Sequence, residues 1–477
     1  METTPLLRSK SETGFYHTES DDCARGGGQC RVYRRRWLML VLFSLCSACN
    51  AAHWIQYSII TNVVIQYYGV SAMAVNWTSM IFMAVYVPLV FPASWLLEKR
   101  GLRVCVTLGT FLVVVGAWLK LLAVGRDGFP IAFAAQTVIG VAQMFTLGVP
   151  AKLAAVWFPH RQVSTATAIG VFGNQIGIAI GFVVPPEIVN EAANPAVIAE
   201  QLTMLYLGMA IAPTIVFLLI IVYFEGEPPI PPSLAQATAI QANTASKSYS
   251  QSVKELLTNK NFVLLLASFG LNIGAFYAYS TLLNQLFLEH FKDGMEDAGQ
   301  VGLTLVLAGV VGSVVWGVVL DKTHKYKETT LGVYLMSGLG MLAFTFMLRA
   351  ERLIPVYVTS GFLGFFMNGY LTVGYEFGAE LTYPHSESTS SGLLNAAGEV
   401  CGVTSVLVAG AVFQNYGDFA TDLGLSAMLL LGLLLSIFID GSHLRRQEAS
   451  RRPVYVTPVI ANMSSDSIDS KPRKYSK

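Results

Sequence analysis

Two stretches that lie far apart in the chain share one pattern. Residues 50–62 read NAAHWIQYSIITN, and residues 272–284 read NIGAFYAYSTLLN. The terminal asparagines and the central Tyr-Ser pair recur at one constant offset. Self-similarity of this kind predicts an internal repeat, so we expect two equivalent halves built from one unit.

Other segments extend the repeat at nearly the same offset. The run WFPH at 157–160 matches TYPH at 382–385, and LLEKRGLR at 96–103 matches VLDK at 319–322. A polar, proline-rich stretch begins at Glu225 and separates the two halves. The predicted organisation is an N-terminal tail at 1–36, a six-helix half at 37–224, a linker at 225–260, a second six-helix half at 261–440 and a C-terminal tail at 441–477.

The composition predicts an all-α membrane protein. Of all residues, 53% are hydrophobic and 13% are charged, whereas soluble domains are roughly a quarter charged. Apolar runs of about twenty residues recur, and each is long enough to cross a hydrocarbon core of about 30 Å as a helix. We predict about twelve transmembrane helices, near residues 37–59, 74–97, 104–124, 130–155, 164–189, 203–224, 262–287, 300–320, 330–349, 354–383, 389–414 and 420–440.

Basic residues predict the orientation. They precede the first span and follow spans two, eight and twelve, which places them on one side if the spans alternate. The positive-inside rule makes that side cytoplasmic, both termini included. We expect the plasma membrane. The acidic dileucine pattern from Glu2 to Leu7 keeps an endosomal or lysosomal membrane as an alternative, and a mitochondrial membrane also remains open.

Signatures of enzymes are missing from the sequence. It contains neither a GxxxxGK[ST] phosphate loop nor an HExxH metal pair, and it shows no readable catalytic constellation. We therefore predict a carrier with no catalytic residues, no metal and no cofactor. The expected partners are a small substrate and the lipid bilayer, with no nucleic acid, and we expect a monomer.

Polar groups inside the apolar spans are the first candidates for function, because they are costly in a membrane. Glu399 lies near the middle of span eleven, and Gln175 has nearly the equivalent place in span five. We expect the two to approach a central cavity from opposite halves.

Aromatic residues concentrate in the two repeated stretches. Trp54 lies beside His53 in span one, and Tyr277 and Tyr279 follow Phe276 in span seven. Aromatic faces attract cations, quaternary ammonium ions included. An aromatic cage for a choline-like cation is one interpretation, and rings that only fill helix interfaces are the other.

Long ordered motifs resemble one family of the major facilitator superfamily, the feline leukaemia virus subgroup C receptors and their relatives. The motifs are NAAHWIQYSII at 50–60, VFGNQIG at 171–177, GAFYAYSTLLN at 274–284 and SGLLN at 391–395. The resemblance runs from Arg35 to about Arg446. It implies two halves around a central cavity and alternating access by rocking of the halves.

Charged residues near the cytoplasmic ends of the spans are candidates for gating. The loops after spans two and eight resemble the superfamily's signature of an acid with basic residues, which latches neighbouring helices in one state; charges that only set the topology are the alternative. Lys152 could pair with a carboxylate of span ten across the halves. The gating candidates are Glu98, Arg100, Arg103, Asp321, Lys322, Lys152, Glu376 and Glu380.

The resemblance also implies a substrate. Members of the family move choline and ethanolamine, and haem was proposed earlier. Their choline site implies that Trp54 and Tyr277 hold the ammonium group and that Gln175 belongs to the site. Glu399 stands where the family has glutamine. An acid there could strengthen cation binding, or burial could keep it neutral.

Facilitated choline transport, with ethanolamine as a second substrate, is the predicted function. The six predicted substrate residues are Trp54, Gln175, Tyr277, Glu399, Tyr279 and His53. Haem export is an alternative, with His53 and the tyrosines as candidate ligands. A receptor or sensor that transports nothing is the second alternative.

Overall fold

The computed structural model describes residues 31–159, 162–190, 194–232, 249–383 and 387–440. Its secondary structure is helical, with one short 3-10 helix at Ser58–Ile60. In chain order the helices are α1 (Arg35–Ile55), α2 (Thr61–Tyr68), α3 (Ala72–Leu121), α4 (Phe129–Leu147), α5 (Val149–Trp157), α6 (Val163–Ile188), α7 (Pro195–Tyr223), α8 (Tyr249–Thr258), α9 (Lys260–Leu288), α10 (Met295–Thr323), α11 (Tyr326–Arg349), α12 (Leu353–Met367), α13 (Gly369–Thr382) and α14 (Glu387–Ile437).

Ten helical segments in the described part of the chain are long and apolar enough to cross a membrane. The last of them, Thr389–Ile437, has 49 residues, about twice the length that one crossing needs. The consecutive helices α12 and α13 cover the predicted span 354–383 and are together long enough for a further crossing. Counting the long segment as two spans gives the twelve spans of the prediction.

Glycines with positive φ divide the two longest helices. Gly101 (φ 76°) interrupts α3, and Gly417 (φ 82°) interrupts α14. Glycine adopts this left-handed region without a Cβ clash. Beyond Gly417 the chain turns back, as contacts at the two ends of α9 show. Asp418 bonds to His290 at one end, and the Asp440 N–H donates to Asn261 Oδ1 at the other.

Equivalent pairs of spans form the centre of each half. In the first half α1 packs on α6, where a Cβ added to Gly177 would lie 2.2 Å from the carbonyl oxygen of Ala48. In the second half α9 packs on the first part of α14, where a Cβ on Gly274 would lie 3.0 Å from the carbonyl oxygen of Cys401. Small residues allow such close approach of helices in lipid. Spans one and five are thus packed as spans seven and eleven are.

Three spans contain breaks. Span one changes from α1 to the 3-10 helix and then to α2, span four divides at Gly148, and span ten divides at Asn368. Span seven is the single continuous helix α9. Because α2 continues span one after the 3-10 helix, this span extends to Tyr68 and is longer than predicted.

Hydrogen bonds join the two halves at one end of the molecule. We call the end with Arg35, Arg103 and Lys322 the basic end, and the bonds lie toward the other end. Asn284 Nδ2 donates to the carbonyl oxygen of Ile59 at 2.7 Å and to Asn62 Oδ1 at 3.3 Å. Gln285 Nε2 donates to Asn76 Oδ1 at 2.8 Å, and the hydroxyls of Ser79 and Thr281 are 3.2 Å apart. The end opposite the basic end is therefore held shut.

The described part of the predicted linker contains α8, and residues 233–248 lie outside the described residues. The two predicted tails lie almost entirely outside them as well. The predicted domain boundaries stay predictions.

Candidate substrate site between the halves

Two aromatic rings meet where the halves face each other. Trp54 is the last residue but one of α1 in the first half, and Tyr277 lies on α9 in the second. Their ring centroids are 5.3 Å apart at an interplanar angle of 66°, an edge-to-face contact. The Trp54 side chain is 5% exposed and Tyr277 is half-buried. The structure thus turns both rings toward the interface between the halves, away from the lipid-facing surface.

A carboxyl group lies beside this ring pair. The Tyr277 hydroxyl donates to Glu399 Oε1 at 3.2 Å, and Gln143 Nε2 donates to the same oxygen at 3.3 Å. Glu399 is 3% exposed, and its Oε2 has no hydrogen-bond partner among the described residues. Tyr277 and Glu399 belong to one half and Gln143 to the other, so the carboxyl group bridges the halves.

Gly402 makes room for the tyrosine. It lies three residues after Glu399, so both face the same side of their helix. A Cβ at Gly402 would be 2.5 Å from Tyr277 Cδ2 and 2.8 Å from Met83 Sδ. A larger residue would push the ring of Tyr277 away from its hydroxyl contact with Glu399.

Comparison with known proteins assigns the chain to a family. A sequence model of the Major Facilitator Superfamily matches residues 37–406. The chain is 48% identical to the choline/ethanolamine transporter flvcr2a of Danio rerio over 421 residues, which cover 88% of this chain and 89% of that protein. The chain belongs to the feline leukaemia virus subgroup C receptor family of this superfamily. The human choline/ethanolamine transporter FLVCR2 is 44% identical over 88% of this chain and 80% of its own length.

Solved structures of distant superfamily members have the same fold. A bacterial homologue of the human lysosomal transporter Spinster, in an inward-facing and unoccupied conformation, aligns with a TM-score of 0.61. The alignment covers 86% of this chain and 96% of that one at 13% identity, so the likeness concerns the fold alone. Family membership confirms the predicted two-half membrane carrier and excludes an enzyme.

In this protein, Gln175 lies in a groove that does not contain the Trp54–Tyr277 ring pair. It lines an apolar groove of about 300 Å³ between α6 and α10, together with residues such as Val183 and Leu303. Its Oε1 is buried without a hydrogen-bond partner among the described residues. Gln175 therefore lies between the halves in a groove whose lining does not include Glu399, and its predicted role in binding stays a prediction.

His53 lies away from the ring pair, although it neighbours Trp54 in sequence. Successive residues on a helix point about 100° apart, and His53 faces the interior of its own half. Its Nδ1 lies 3.0 Å from Lys120 Nζ and 3.0 Å from Gln56 Oε1. Lys120 Nζ also donates to Gln56 Oε1 at 3.0 Å and lies 5.1 Å from the ring centroid of Tyr57. We call these four residues the Lys120 cluster.

Tyr279 likewise lies apart from Tyr277, and for the same reason. Two residues along a helix are about 200° apart, so Tyr279 points into the second half. It is fully buried and meets Phe344 edge to face at 5.0 Å. The structure therefore corrects the expectation that His53 and Tyr279 line the same cavity as Trp54 and Tyr277.

The gating candidates after spans two and eight lie at the basic end. The side chains of Glu98 and Asp321 fall outside the described residues. Arg100 and Lys322 are exposed, and Arg103 Nη2 donates to the carbonyl oxygen of Ile221 at 3.3 Å. A latch made by these charges stays a prediction.

Lys152 and Glu380, two of the remaining gating candidates, each have a hydrogen bond within their own half. Lys152 Nζ donates to the carbonyl oxygen of Leu97 at 2.9 Å, and the Tyr326 hydroxyl donates to Glu380 Oε1 at 3.4 Å. Glu380 is buried, whereas Glu376, one turn earlier, is exposed. The predicted pairing of Lys152 with either acid across the halves remains untested.

Three buried polar residues of the first half were missed by the sequence analysis: Gln143, Lys120 and Gln136. Gln136 Nε2 donates to the carbonyl oxygens of His53 and Thr78, at 3.0 and 3.2 Å. Each lies within an apolar span, and intramembrane polar groups are functional candidates by default. Applied to every span, that rule identifies these three residues. It does not identify the residues to which they bond.

Proposed function

We propose that this protein is a facilitative carrier for choline, with ethanolamine as a second substrate. The observation that carries the proposal is the bridge between the halves, formed by Trp54, Tyr277, Glu399 and Gln143. It combines two aromatic rings with a carboxyl oxygen that has no hydrogen-bond partner among the described residues, a combination that suits a small organic cation. The relatives named as choline/ethanolamine transporters support the same assignment.

The physical basis of recognition is the attraction of a cation to aromatic faces. Such a contact contributes about 2 kcal/mol or more when the ion is shielded from water. Choline carries its charge on a methylated nitrogen that donates no hydrogen bond, so rings can replace its hydration without leaving a donor unpaired. Its hydroxyl can bond to the carboxyl group.

Alternating access provides the transport step. The bonds of Asn284 and Gln285 close the end opposite the basic end, so these bonds must break for that end to open. Rocking of one half against the other would expose the ring pair to each side in turn. No ATP is needed, because a substrate gradient drives a facilitative carrier.

The orientation is part of the proposal. By the positive-inside rule, the basic end faces the cytoplasm together with both termini. The end closed by Asn284 and Gln285 would then face outward. We propose the plasma membrane as its location and the monomer as its functional form.

Haem export does not gain support from the site. The only histidine considered as an axial ligand, His53, bonds within its own half to Lys120 and Gln56. Tyr279, the second candidate, is enclosed in the other half.

Uptake of labelled choline tests the proposal. We expect Trp54→Ala to reduce uptake by at least tenfold, because a contact of about 2 kcal/mol corresponds to roughly thirtyfold in affinity. Trp118→Ala is the matched control, because Trp118 is 43% exposed on the outer surface. Equal uptake by wild type and Trp54→Ala would reject the site.

Two further outcomes bear on the proposal as a whole. Uptake no higher than in untransfected cells would reject choline transport. Binding of choline without net flux in proteoliposomes would favour the receptor alternative. Competition by unlabelled ethanolamine tests the second substrate.

A further inference from the structure

We propose that Glu399 gives the site a preference for ammonium ions that carry at least one N–H over quaternary ammonium ions that have no hydroxyl group. The inference rests on the proposed function, because it places the cation of the substrate between Trp54 and Tyr277. It concerns specificity within that site. Among cations without a hydroxyl group it identifies protonated amines as the preferred class, whereas choline can reach the same carboxyl oxygen with its hydroxyl.

The two carboxyl oxygens of Glu399 have different surroundings. Oε1 accepts hydrogen bonds from Tyr277 and from Gln143, whereas Oε2 is buried and has no partner among the described residues. A buried acceptor without a donor is unfavourable. A ligand that brings a donor to Oε2 therefore removes a cost that the empty site carries.

A cation bound beside this acid favours its ionised form, and the described side chains supply no other counter-charge. Ion pairs such as Arg35 with Glu225 and His290 with Asp418 lie elsewhere in the described part of the chain. Neither pair includes Glu399, whose described contacts come from a phenol and an amide. A substrate cation therefore supplies the opposite charge and, when it carries an N–H, the missing donor in the same contact.

Quaternary and protonated amines differ in how they can use this oxygen. A quaternary nitrogen presents only methyl groups, so it interacts with Oε2 through charge alone. An ammonium with an N–H forms a charge-assisted hydrogen bond, which is shorter and about twice as strong as a neutral one. Its remaining methyl groups can still contact the rings.

Gln143 and Tyr277 make this preference testable by an isosteric change. Both donate to the Oε1 position, so in Glu399→Gln they would hold the amide oxygen there. The amide nitrogen would then take the place of Oε2. A donor would stand where the ammonium N–H needs an acceptor, and the preference should disappear or reverse.

Hydroxyl-free cations isolate the effect, because the hydroxyl of choline could itself reach Oε2. Trimethylammonium and tetramethylammonium differ by one N–H in place of one methyl group. The hydrogen bond contributes roughly ten- to a hundredfold in affinity, and the lost methyl costs about fourfold. For the wild type we therefore expect trimethylammonium to bind roughly three- to twentyfold more tightly.

The experiment is a titration of the purified full chain at neutral pH, with thermal stabilisation as the readout. Wild type and Glu399→Gln are each titrated with trimethylammonium, tetramethylammonium and choline. The unfolding transition measured without ligand serves as the folding control for the variant, and choline reports binding of a cation whose hydroxyl can accept a bond from the new amide. The expected result is a trimethylammonium preference in wild type that is lost in Glu399→Gln.

Equal or tighter binding of tetramethylammonium to the wild type would overturn the inference, whatever the variant does. A preference that persists in Glu399→Gln would overturn it too. If the variant does not fold, competition of the two cations against choline uptake by wild type decides alone. Absence of any choline binding or uptake by wild type would instead reject the proposed function.

Discussion

Spans one and seven occupy equivalent places in the two halves and share four residues of their central pattern, yet their backbones differ. In span one the α-helix ends at Ile55, directly after Trp54, and resumes at Thr61 after a 3-10 turn. In span seven α9 continues without a break through Tyr277. The two similar sequences therefore form an interrupted span one and a continuous span seven on the two sides of the same site.

Polar side chains of the first half account for the difference. A helix end leaves its last carbonyl groups without intrahelical donors, and inside a membrane these must find partners in neighbouring helices. Gln136 donates to the carbonyl oxygen of His53 at this end, and Lys120 holds the side chain of Gln56. A break within a span often marks a hinge. The break therefore makes span one the candidate hinge beside the site, whereas span seven is continuous there.

Gln136→Leu should have the largest effect, because it removes the donor to the broken helix. The carbonyl oxygens of His53 and Thr78 lose a bond inside a buried region, and each such loss costs about 1–3 kcal/mol. We expect the free energy of unfolding to fall by about 3 kcal/mol, measured by thermal denaturation in detergent.

Ser268→Ala in the continuous span seven is the control for that change. Ser268 contacts the hydroxyls of Tyr370 and Ser436, and we expect a loss of about 1 kcal/mol. Equal losses in the two variants would show that the break in span one has no special dependence on Gln136.

Asn284→Ala should have the next largest effect, on the balance between conformations. It removes two bonds from span seven to the segment that follows the break, at Ile59 and Asn62. At about 1 kcal/mol each, the population open at this end should rise roughly tenfold or more. Distances between spin labels at the exposed Gln66 and Lys292 would report the shift.

Gln285→Ala serves as the matched variant for that measurement. It removes one bond, to Asn76, and should shift the distances less. An unchanged distribution in Asn284→Ala would mean that these bonds do not hold the end shut.

Tyr277→Phe should weaken choline binding by about threefold, less than Trp54→Ala does. It keeps the ring against Trp54 and removes one donor from Glu399 Oε1, while Gln143 still donates. A neutral donor lost in this way costs about 0.5–1.5 kcal/mol. A loss in affinity as large as that of Trp54→Ala, measured by titration, would show that the hydroxyl and not the ring dominates.

Arg35→Ala should have the smallest effect. Arg35 begins span one and pairs with Glu225 at 2.9 Å, but the two side chains are 70% and 41% exposed. Exposed ion pairs contribute about 0.2–1 kcal/mol at most. We expect thermal stability within about 0.5 kcal/mol of wild type, and a larger loss would extend the sensitive part of span one to its first turn.

The sequence predicted those features that depend on composition and repetition. Apolar runs gave the number of spans, and the repeated pattern placed Trp54 and Tyr277 in equivalent spans whose rings the structure brings together. These follow from rules that act along one segment, where length and period suffice.

Contacts between segments were beyond the sequence analysis. Gln143 bonds to Glu399 although 256 positions separate them, and nothing in span four alone indicates that partner. His53 and Tyr279 were grouped with their neighbours by residue type, but the angle between successive helical positions turns them into separate interiors. The break after Trp54 depends on Gln136 and Lys120, which come from other spans.

The divided spans four and ten separate two tasks within single membrane crossings. Gly148 lies between α4 and α5, and Asn368 between α12 and α13. Bending of a helix concentrates at such interruptions, so α5 and α13 can tilt near the basic end while α4 keeps Gln143 against Glu399. The segments near the basic end can therefore move during transport, while another segment of the same span holds a residue of the substrate site.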